Sequence, residues 1–236
     1  MKKYCNIAGL NVIIDNATEI VIDRLKKYEV AAFNDADIIV KQPDIPMLDY
    51  AKSEADYNAV YFLRESFDFY RKLLDFNGIM LHASAVVVDN KAYLFSAPSG
   101  TGKSTHTGKW LELFGSNAYI LNDDKPAIRI LNDGIYAYGT PWSGKHDISV
   151  NVGVPLKSIC FLTRDTTNWI KTLNKQEAFI RIYHQTSRKL TSEQAKLAFD
   201  IIENIVDRIK VCEIGCTPTV EAAEMSYNFM SKLEDK

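Results

Sequence analysis

The sequence predicts an α/β fold built on a mixed β-sheet, and three observations carry that expectation. Apolar runs of strand length alternate with segments of helical periodicity along the 236 residues. Successive strand-like runs are joined by turn-forming residues, which places antiparallel hairpins beside any parallel strands. A strand also leads directly through a glycine-rich loop into a helix between Ala92 and Phe114.

The elements follow in order. Tyr4 to Ile7 and Val12 to Ile14 flank Ala8-Gly9-Leu10-Asn11 and read as a hairpin. Tyr28 to Phe33 and Ile38 to Lys41 read as two further strands, after which Pro43 and Pro46 punctuate the chain. From Glu54 to Phe76 the pattern changes: Val60, Leu63, Phe67, Tyr70 and Leu74 recur at spacings of three and four, the signature of one apolar helix face. Asn77-Gly78 closes that helix, with Gly78 suited to the left-handed position. Ile79 to Val88 and Ala92 to Phe95 flank the turn Asp89-Asn90-Lys91. A helix from Lys103 to about Phe114, a short strand Tyr119 to Leu121, and a hairpin of Ala127 to Leu131 with Ile135 to Tyr138 come next. Gly139 to Val154 reads as a mobile loop over the site. Leu156 to Leu162 is a buried strand, residues 175–184 and 192–209 are helices, and Val211 to Ile214 is a strand. Thr217-Pro218 opens a last helix, with Thr217 as cap and Pro218 in the first turn. Two units are expected: an N-terminal α+β segment over residues 1–78, which is a candidate for selecting a substrate, and a core over residues 79–236.

Composition narrows the function. A formal net charge of −2 with 47% apolar residues describes a packed protein without the basic surplus of a nucleic-acid binder. No apolar run reaches bilayer-spanning length and no secretion signal is visible, so a cytoplasmic protein with no membrane partner is expected. Cys5, Cys160, Cys212 and Cys216 form no Cys-x-x-Cys pair and have no histidine cluster beside them, which reads as buried thiols and not a zinc site.

The chemistry concentrates at Ala97-Pro98-Ser99-Gly100-Thr101-Gly102-Lys103-Ser104, with Thr105 following. This fits G-x-x-x-x-G-K-[ST] with Ala97 in place of the first glycine. Backbone N–H groups must converge to hold phosphate oxygens, and Gly100 and Gly102 permit the torsions this requires. The helix that starts near Lys103 adds its positive end. The Lys103 ammonium is then set to reach the β- and γ-phosphates, and the Ser104 hydroxyl to hold Mg²⁺. ATP or another nucleoside triphosphate with Mg²⁺ is the expected ligand. About twenty residues on, Asp123 and Asp124 end a short strand. Two carboxylates there can divide metal binding from the removal of a hydroxyl proton, and the residues alone leave open which does which.

Met80-Leu81-His82-Ala83-Ser84-Ala85-Val86, the loop, and Asn122-Asp123-Asp124-Lys125-Pro126 together resemble HPr kinase/phosphorylase and its short bacterial relatives. The resemblance covers roughly residues 79–165, with a weaker likeness from Val211 to Met230 around Cys216-Thr217-Pro218. It implies a phosphoenolpyruvate-carboxykinase-like core, a place for His82 near the catalytic aspartate, and assembly into a homo-oligomer. Tyr138-Gly139-Thr140-Pro141-Trp142-Ser143-Gly144-Lys145 is similar to an uncharacterised bacterial subgroup. The chain departs from the family in lacking its downstream metal-binding glutamate between Gly139 and Val154, where Asp147 does not fit the motif, and its N-terminal segment does not match. The expected activity is transfer of a phosphoryl group to a hydroxyl of a peptide or protein Ser or Thr, or of a small alcohol. A nucleotide-binding regulator or weak NTPase is the alternative.

Other residues stay open at this stage. Lys145 and His146 can meet phosphate charge or be solvated. Trp142 can stack on a base or anchor its loop. His106 can border a nucleotide or face solvent. Arg129 and Arg164 can pair with acids or clamp a substrate. His184 has no assigned role.

Overall fold

In the computed structural model, which describes residues 2–17, 19–41, 54–186 and 189–232, the chain is a mixed α/β protein. The expected punctuation at Pro43 and Pro46 lies outside the described residues.

The chain begins with a three-stranded sheet of β1 (Lys2–Ile7), β2 (Leu10–Asp15) and β3 (Ile38–Lys41) in the order β1-β2-β3. The β1–β2 hairpin turns through two residues, Ala8 and Gly9, both at positive φ, as a tight antiparallel connection needs. A helix that sequence reading missed, α1 (Glu19–Leu25), buries Val21 and Leu25 one turn apart. The expected strand from Tyr28 to Phe33 is not formed. Glu29 makes one bridge to Cys5, and Asn6 and Val30 exchange bonds with Tyr28 and Tyr4, but Val30 and its neighbours are exposed and no described strand pairs on their far side.

The long helix forms as α2 (Glu54–Leu73) and tightens into a 3₁₀ turn at Leu74–Phe76. Asn77, not Gly78, takes the left-handed position (φ 53°), and Gly78 already begins the next strand. The buried stripe is Tyr61, Phe69, Tyr70 and Leu73, together with Glu65 and Ser66, whereas Leu63 and Phe67 face outward. Tyr70 and Leu74 are buried as the spacing predicts, and Leu63 and Phe67 are the corrections to that face. With β1–β3 and α1, the stripe builds one hydrophobic core that also takes in Met80, Ala127 and Trp142.

The remaining strands form one nine-stranded sheet: β4 (Gly78–Met80), β5 (Ala83–Val88), β6 (Lys91–Ser96), β7 (Ala118–Asn122), β8 (Ala127–Leu131), β9 (Gly134–Tyr138), β10 (Gly153–Arg164), β11 (Trp169–Thr172) and β12 (Lys210–Cys216). The expected single strand from Ile79 to Val88 is broken at Leu81-His82, because β4 pairs with β8 while β5 pairs with β6 and β7. The twelve-residue β10 is the hinge of the sheet. Its first residues pair antiparallel with β9, and from Leu156 onward it lies parallel to β6, and from Ser158 parallel to β12. Alternation along the strands sends Leu94, Ile159 and Phe161 into one core and Phe95, Cys160 and Leu162 into another. The first core is covered by α4 (Lys175–His184) and α5 (Ser192–Arg208), both opened by capping boxes. The second is covered by α3 (Lys103–Phe114) and α6 (Val220–Met230). The cap of α6 is Thr219, so the expected start at Thr217-Pro218 moves two residues on. No described helix is long and apolar enough to cross a membrane.

The consequence for function is positional. Strands β6, β10 and β12 are mutually parallel through β10, so Ser96, Arg164 and Cys216 end on one edge of the sheet. In open α/β sheets that edge is where ligands collect.

Candidate functional site

The glycine-rich loop spans the gap between β6 and α3. Gly100 (φ 78°) and Gly102 (φ 115°) both take left-handed conformations that a side chain would strain, and a Cβ at either would meet open space. Gly102 is the N-cap of α3, and its carbonyl accepts the first helical bond, from the His106 N–H at 2.9 Å. Arg164, at the end of β10, donates from Nε to the Thr101 carbonyl (3.0 Å) and from Nη2 to the Gly100 carbonyl. Pinning those carbonyls turns the N–H groups of the same trans peptides away from Arg164. The Thr101 N–H reaches the Pro98 carbonyl at 3.3 Å. Arg164 was undecided between ion pairing and clamping a substrate; its contact here is with the loop backbone.

Around this loop lies a cleft of about 570 Å³ lined by His82, Ser99, Gly100, Gly102, Lys103, Ser104, Thr105, Asp123, Asp124, Gly144, Lys145, His146 and Arg164. Most residues singled out from the sequence thus share one cavity. Ala97 is buried behind it, Thr101 faces a neighbouring pocket, and Pro98 lines neither.

Lys103 is 8% exposed, with its ammonium 2.9 Å from the Ala97 carbonyl and 3.1 Å from His82 Nε2. Burial lowers its pKa below the ordinary lysine range, against the opposing pull of the Asp124 charge. His82 occupies the break between β4 and β5, fixed by its N–H to the Gln185 carbonyl (2.8 Å) and by Ser96 Oγ to its own carbonyl (2.9 Å). Its Nδ1 lies 3.2 Å from Gln185 Oε1, which accepts from a protonated Nδ1. Its Nε2 lies between a donor, Lys103 Nζ, and an acceptor, Asp124 Oδ1 at 3.2 Å. With Nε2 protonated, His82 donates to Asp124; without that proton, it accepts from Lys103. Gln185, which selects this ring orientation, was not found from the sequence. It lies 103 residues from His82, just past α4, and belongs to no motif.

The two carboxylates differ. Asp124 has Oδ1 against His82 and Oδ2 in an ion pair with Lys125. Burial works against its charge, but the His82 hydrogen bond and Lys125 outweigh burial and hold its pKa down at about 2. Asp123 is half-buried, and burial pushes its carboxyl above the ordinary range, with the Asp124 charge adding to the rise. The Gly144 N–H donates to Asp123 Oδ1 at 2.6 Å, and this bond and the Arg24 charge pull its pKa back down. A Cβ on Gly144 would fall 2.8 Å from Asp123 Oδ2, so any larger residue there would push the carboxylate aside.

The turn bearing these carboxylates is held by Asn122, which is fully buried at the end of β7. Its Oδ1 accepts from the N–H groups of Asp124 (3.0 Å) and Lys125 (2.8 Å), and its Nδ2 donates to the Thr140 carbonyl (3.0 Å). Thr140 Oγ1 donates to the Lys125 carbonyl, and Tyr70 Oη from α2 joins both. On the far side, Arg24 of α1 donates to the Ser143 carbonyl (2.8 Å) and lies over the Phe62 ring, while Lys27 pairs with Asp147 at 3.1 Å. The N-terminal elements therefore grip both the acidic turn and the loop that carries Gly144.

The open alternatives now separate. Trp142 is buried against Phe69 (4.7 Å, stacked), so it anchors its loop and is not available to a base. Lys145 and His146 are exposed on the cleft wall. His106 does not face solvent: it is buried, bonded to Ser226 at 3.1 Å, with its pKa lowered to about 4 by burial. Arg129 ties the Phe76 and Ala8 carbonyls together and lies outside the cleft. The four cysteines are buried free thiols, and no described cluster of three His, Cys, Asp or Glu residues could hold a metal.

No protein-family model matches the sequence, and no curated protein does. Among solved structures the chain is similar to the Hpr(Ser) kinase/phosphatase from Coxiella burnetii. The identity is 14%, over 65% of this chain and 97% of that one, and the TM-score is 0.36, a distant likeness.

Proposed function

We propose that the chain is a phosphotransferase that moves the terminal phosphoryl group of a nucleoside triphosphate to a hydroxyl acceptor. The observation that carries this reading is the meeting, in one cleft, of a buried lysine at a helix N-terminus, an exposed serine beside it, and two carboxylates of opposite pKa perturbation. A site that only senses nucleotide needs one acidic group for the metal and no second carboxylate with a raised proton affinity.

In this reading the loop from Ala97 to Thr105 is a phosphate-binding loop, and Lys103 leaves the Ala97 carbonyl to meet the β- and γ-phosphates. Mg²⁺, for which the Ser104 hydroxyl and the ionised Asp124 carboxylate are suitable oxygen donors, would neutralise charge on those phosphates. Asp123 takes the proton of the acceptor hydroxyl as that oxygen attacks the γ-phosphorus. The bond from the γ-phosphorus to the bridging oxygen breaks, and the nucleoside diphosphate leaves. His82, oriented by Gln185, keeps Asp124 ionised. Lys145 and His146 offset charge on the transferred group. Residues 1–78 serve as an acceptor-selecting unit on the core of residues 79–236. The acceptor is a peptide or protein Ser or Thr, or a small alcohol.

The test is calorimetric titration of ATP with Mg²⁺ into the wild type, Lys103→Ala and Asp123→Asn, followed by transfer from γ-labelled ATP to hydroxyl peptides and polyols. Lys103→Ala is expected to weaken binding at least about tenfold, roughly 1.4 kcal/mol. Asp123→Asn is expected to bind ATP and abolish transfer. A wild type that binds no nucleotide sinks the proposal. Binding with slow hydrolysis and no transfer to any hydroxyl would favour the regulator reading instead.

A further inference from the structure

Beside the phosphate cleft is a second cavity of about 310 Å³, and the two share Gly102, Thr105 and Arg164. We propose that this second cavity receives the nucleobase of the donor nucleotide, and that it holds the base by shape and apolar contact without reading its hydrogen-bonding edge. The inference rests on the phosphotransferase reading and extends it to the class of donor.

Position is the first argument. The cavity opens at the carboxyl ends of the parallel strands β10 and β12, next to the loop that follows the parallel strand β6. A phosphate chain on the loop can therefore continue into it past Gly102 and Thr105. Its size lies at the lower end of the range of about 300–1,000 Å³ for small-ligand pockets. Leu162, Cys216 and Pro218 give it apolar walls.

The polar groups at its rim are the second argument, because most are already used. His106 bonds Ser226 through Nε2 and faces Cys216 Sγ through Nδ1. Asp165 accepts from the Thr166 N–H and from Trp169 Nε1, and the Thr217 hydroxyl donates to Asn168 Oδ1. Arg164 spends Nε and one Nη2 hydrogen on loop carbonyls, and the Nη1 donors it keeps suit the ring-nitrogen acceptors that adenine and guanine both present. The remaining hydroxyls, Thr101 and Thr105, rotate to donate or accept and so suit either edge pattern. A pocket built to bond one base rejects the analogue about 10⁴-fold, whereas apolar fit alone discriminates about 10–200-fold.

The test compares binding of ATP, GTP and inorganic tripolyphosphate, each with Mg²⁺, to the wild type, Pro218→Trp and Cys216→Leu, with melting curves to establish that each variant folds. ATP and GTP are expected within about tenfold of each other and each at least about tenfold tighter than tripolyphosphate, roughly 1.4 kcal/mol. At least one folded, cavity-filling variant is expected to lose that advantage while binding tripolyphosphate as before. Equal binding of ATP and tripolyphosphate overturns the base pocket and leaves the phosphate loop standing. The pocket assignment also falls if both filling variants keep the wild-type advantage. A preference between ATP and GTP above about a hundredfold overturns readout by shape. If neither ATP nor tripolyphosphate binds, the phosphate-loop reading itself fails, and the base pocket with it.

Discussion

Replacing Gly144 with alanine should raise the proton affinity of Asp123 and do so through one contact. The new Cβ would fall 3.1 Å from Asp123 Cγ and 2.8 Å from its Oδ2, the second too close for a side chain to tolerate, so the carboxylate must swing away. Swinging breaks the 2.6 Å bond from the Gly144 N–H, the leading interaction that counters burial at this group. A hydrogen bond to a charged group contributes about 1.5–3 kcal/mol, and the half-exposed setting of Asp123 places the loss near the lower figure. That energy is taken from the ionised form, and the Asp123 pKa moves further up. The sign for stability follows. A carboxyl whose pKa is higher folded than unfolded binds its proton more tightly in the folded state, so its contribution falls as pH rises from the ordinary 3.8 through the folded value. The Gly144→Ala variant should therefore be destabilised more at pH 7 than at pH 3.5, by about 1.5 kcal/mol. Urea unfolding at the two pH values measures the difference, and carboxyl-carbon NMR, assigned with Asp123→Asn, follows the titration directly. An equal deficit at both pH values, with an unshifted titration, would refute the claim that Gly144 sets the charge state of Asp123.

Two further outcomes follow from the same geometry. The Asp124 pKa is held at about 2 against an ordinary 3.8, so its stabilisation of about 2 kcal/mol is complete above 3.8 and is lost as pH falls toward 2; Asp124→Asn should flatten that part of the acid-unfolding curve, and an unchanged slope would refute it. Arg24→Ala leaves the Ser143 carbonyl without its 2.8 Å donor in a buried setting and should cost about 1–3 kcal/mol in denaturant unfolding, with Arg24→Lys recovering part of it.

What the sequence discloses and what it hides divide by range. The glycine-rich loop and the Asp123-Asp124 turn are local strings whose composition answers to local torsions and to a strand end, so they can be read where they stand. Gln185 cannot, because its meaning comes from a contact with His82 across 103 residues. The α2 face was misread for a related reason. The helix carries apolar residues on more than one side, and spacing alone offers Leu63 and Phe67 as readily as Tyr61 and Phe69. The choice is made by what the helix packs on, and that surface includes Trp142 from a loop some seventy residues later.

The same packing explains why buried polar residues gather where the N-terminal elements meet the large sheet. Tyr70, Thr140 and Asn122 have little to gain from burial on their own, since each polar group buried without a partner costs free energy. Together they satisfy one another and the backbone of the turn from Asn122 to Lys125, which fixes where Asp123 and Asp124 stand. Arg24 and Lys27 hold Ser143 and Asp147 on either side of Gly144, the residue that touches Asp123. The N-terminal elements thus reach the acidic pair by two routes, one through α2 to the turn and one through α1 to the Gly144 loop. A ligand that displaced α1 or α2 would alter the position of the turn and the hydrogen bond to Asp123 together. In the phosphotransferase reading this couples the unit assigned to acceptor selection to the base that acts on the acceptor, so that recognising the acceptor and preparing its proton transfer become one structural event.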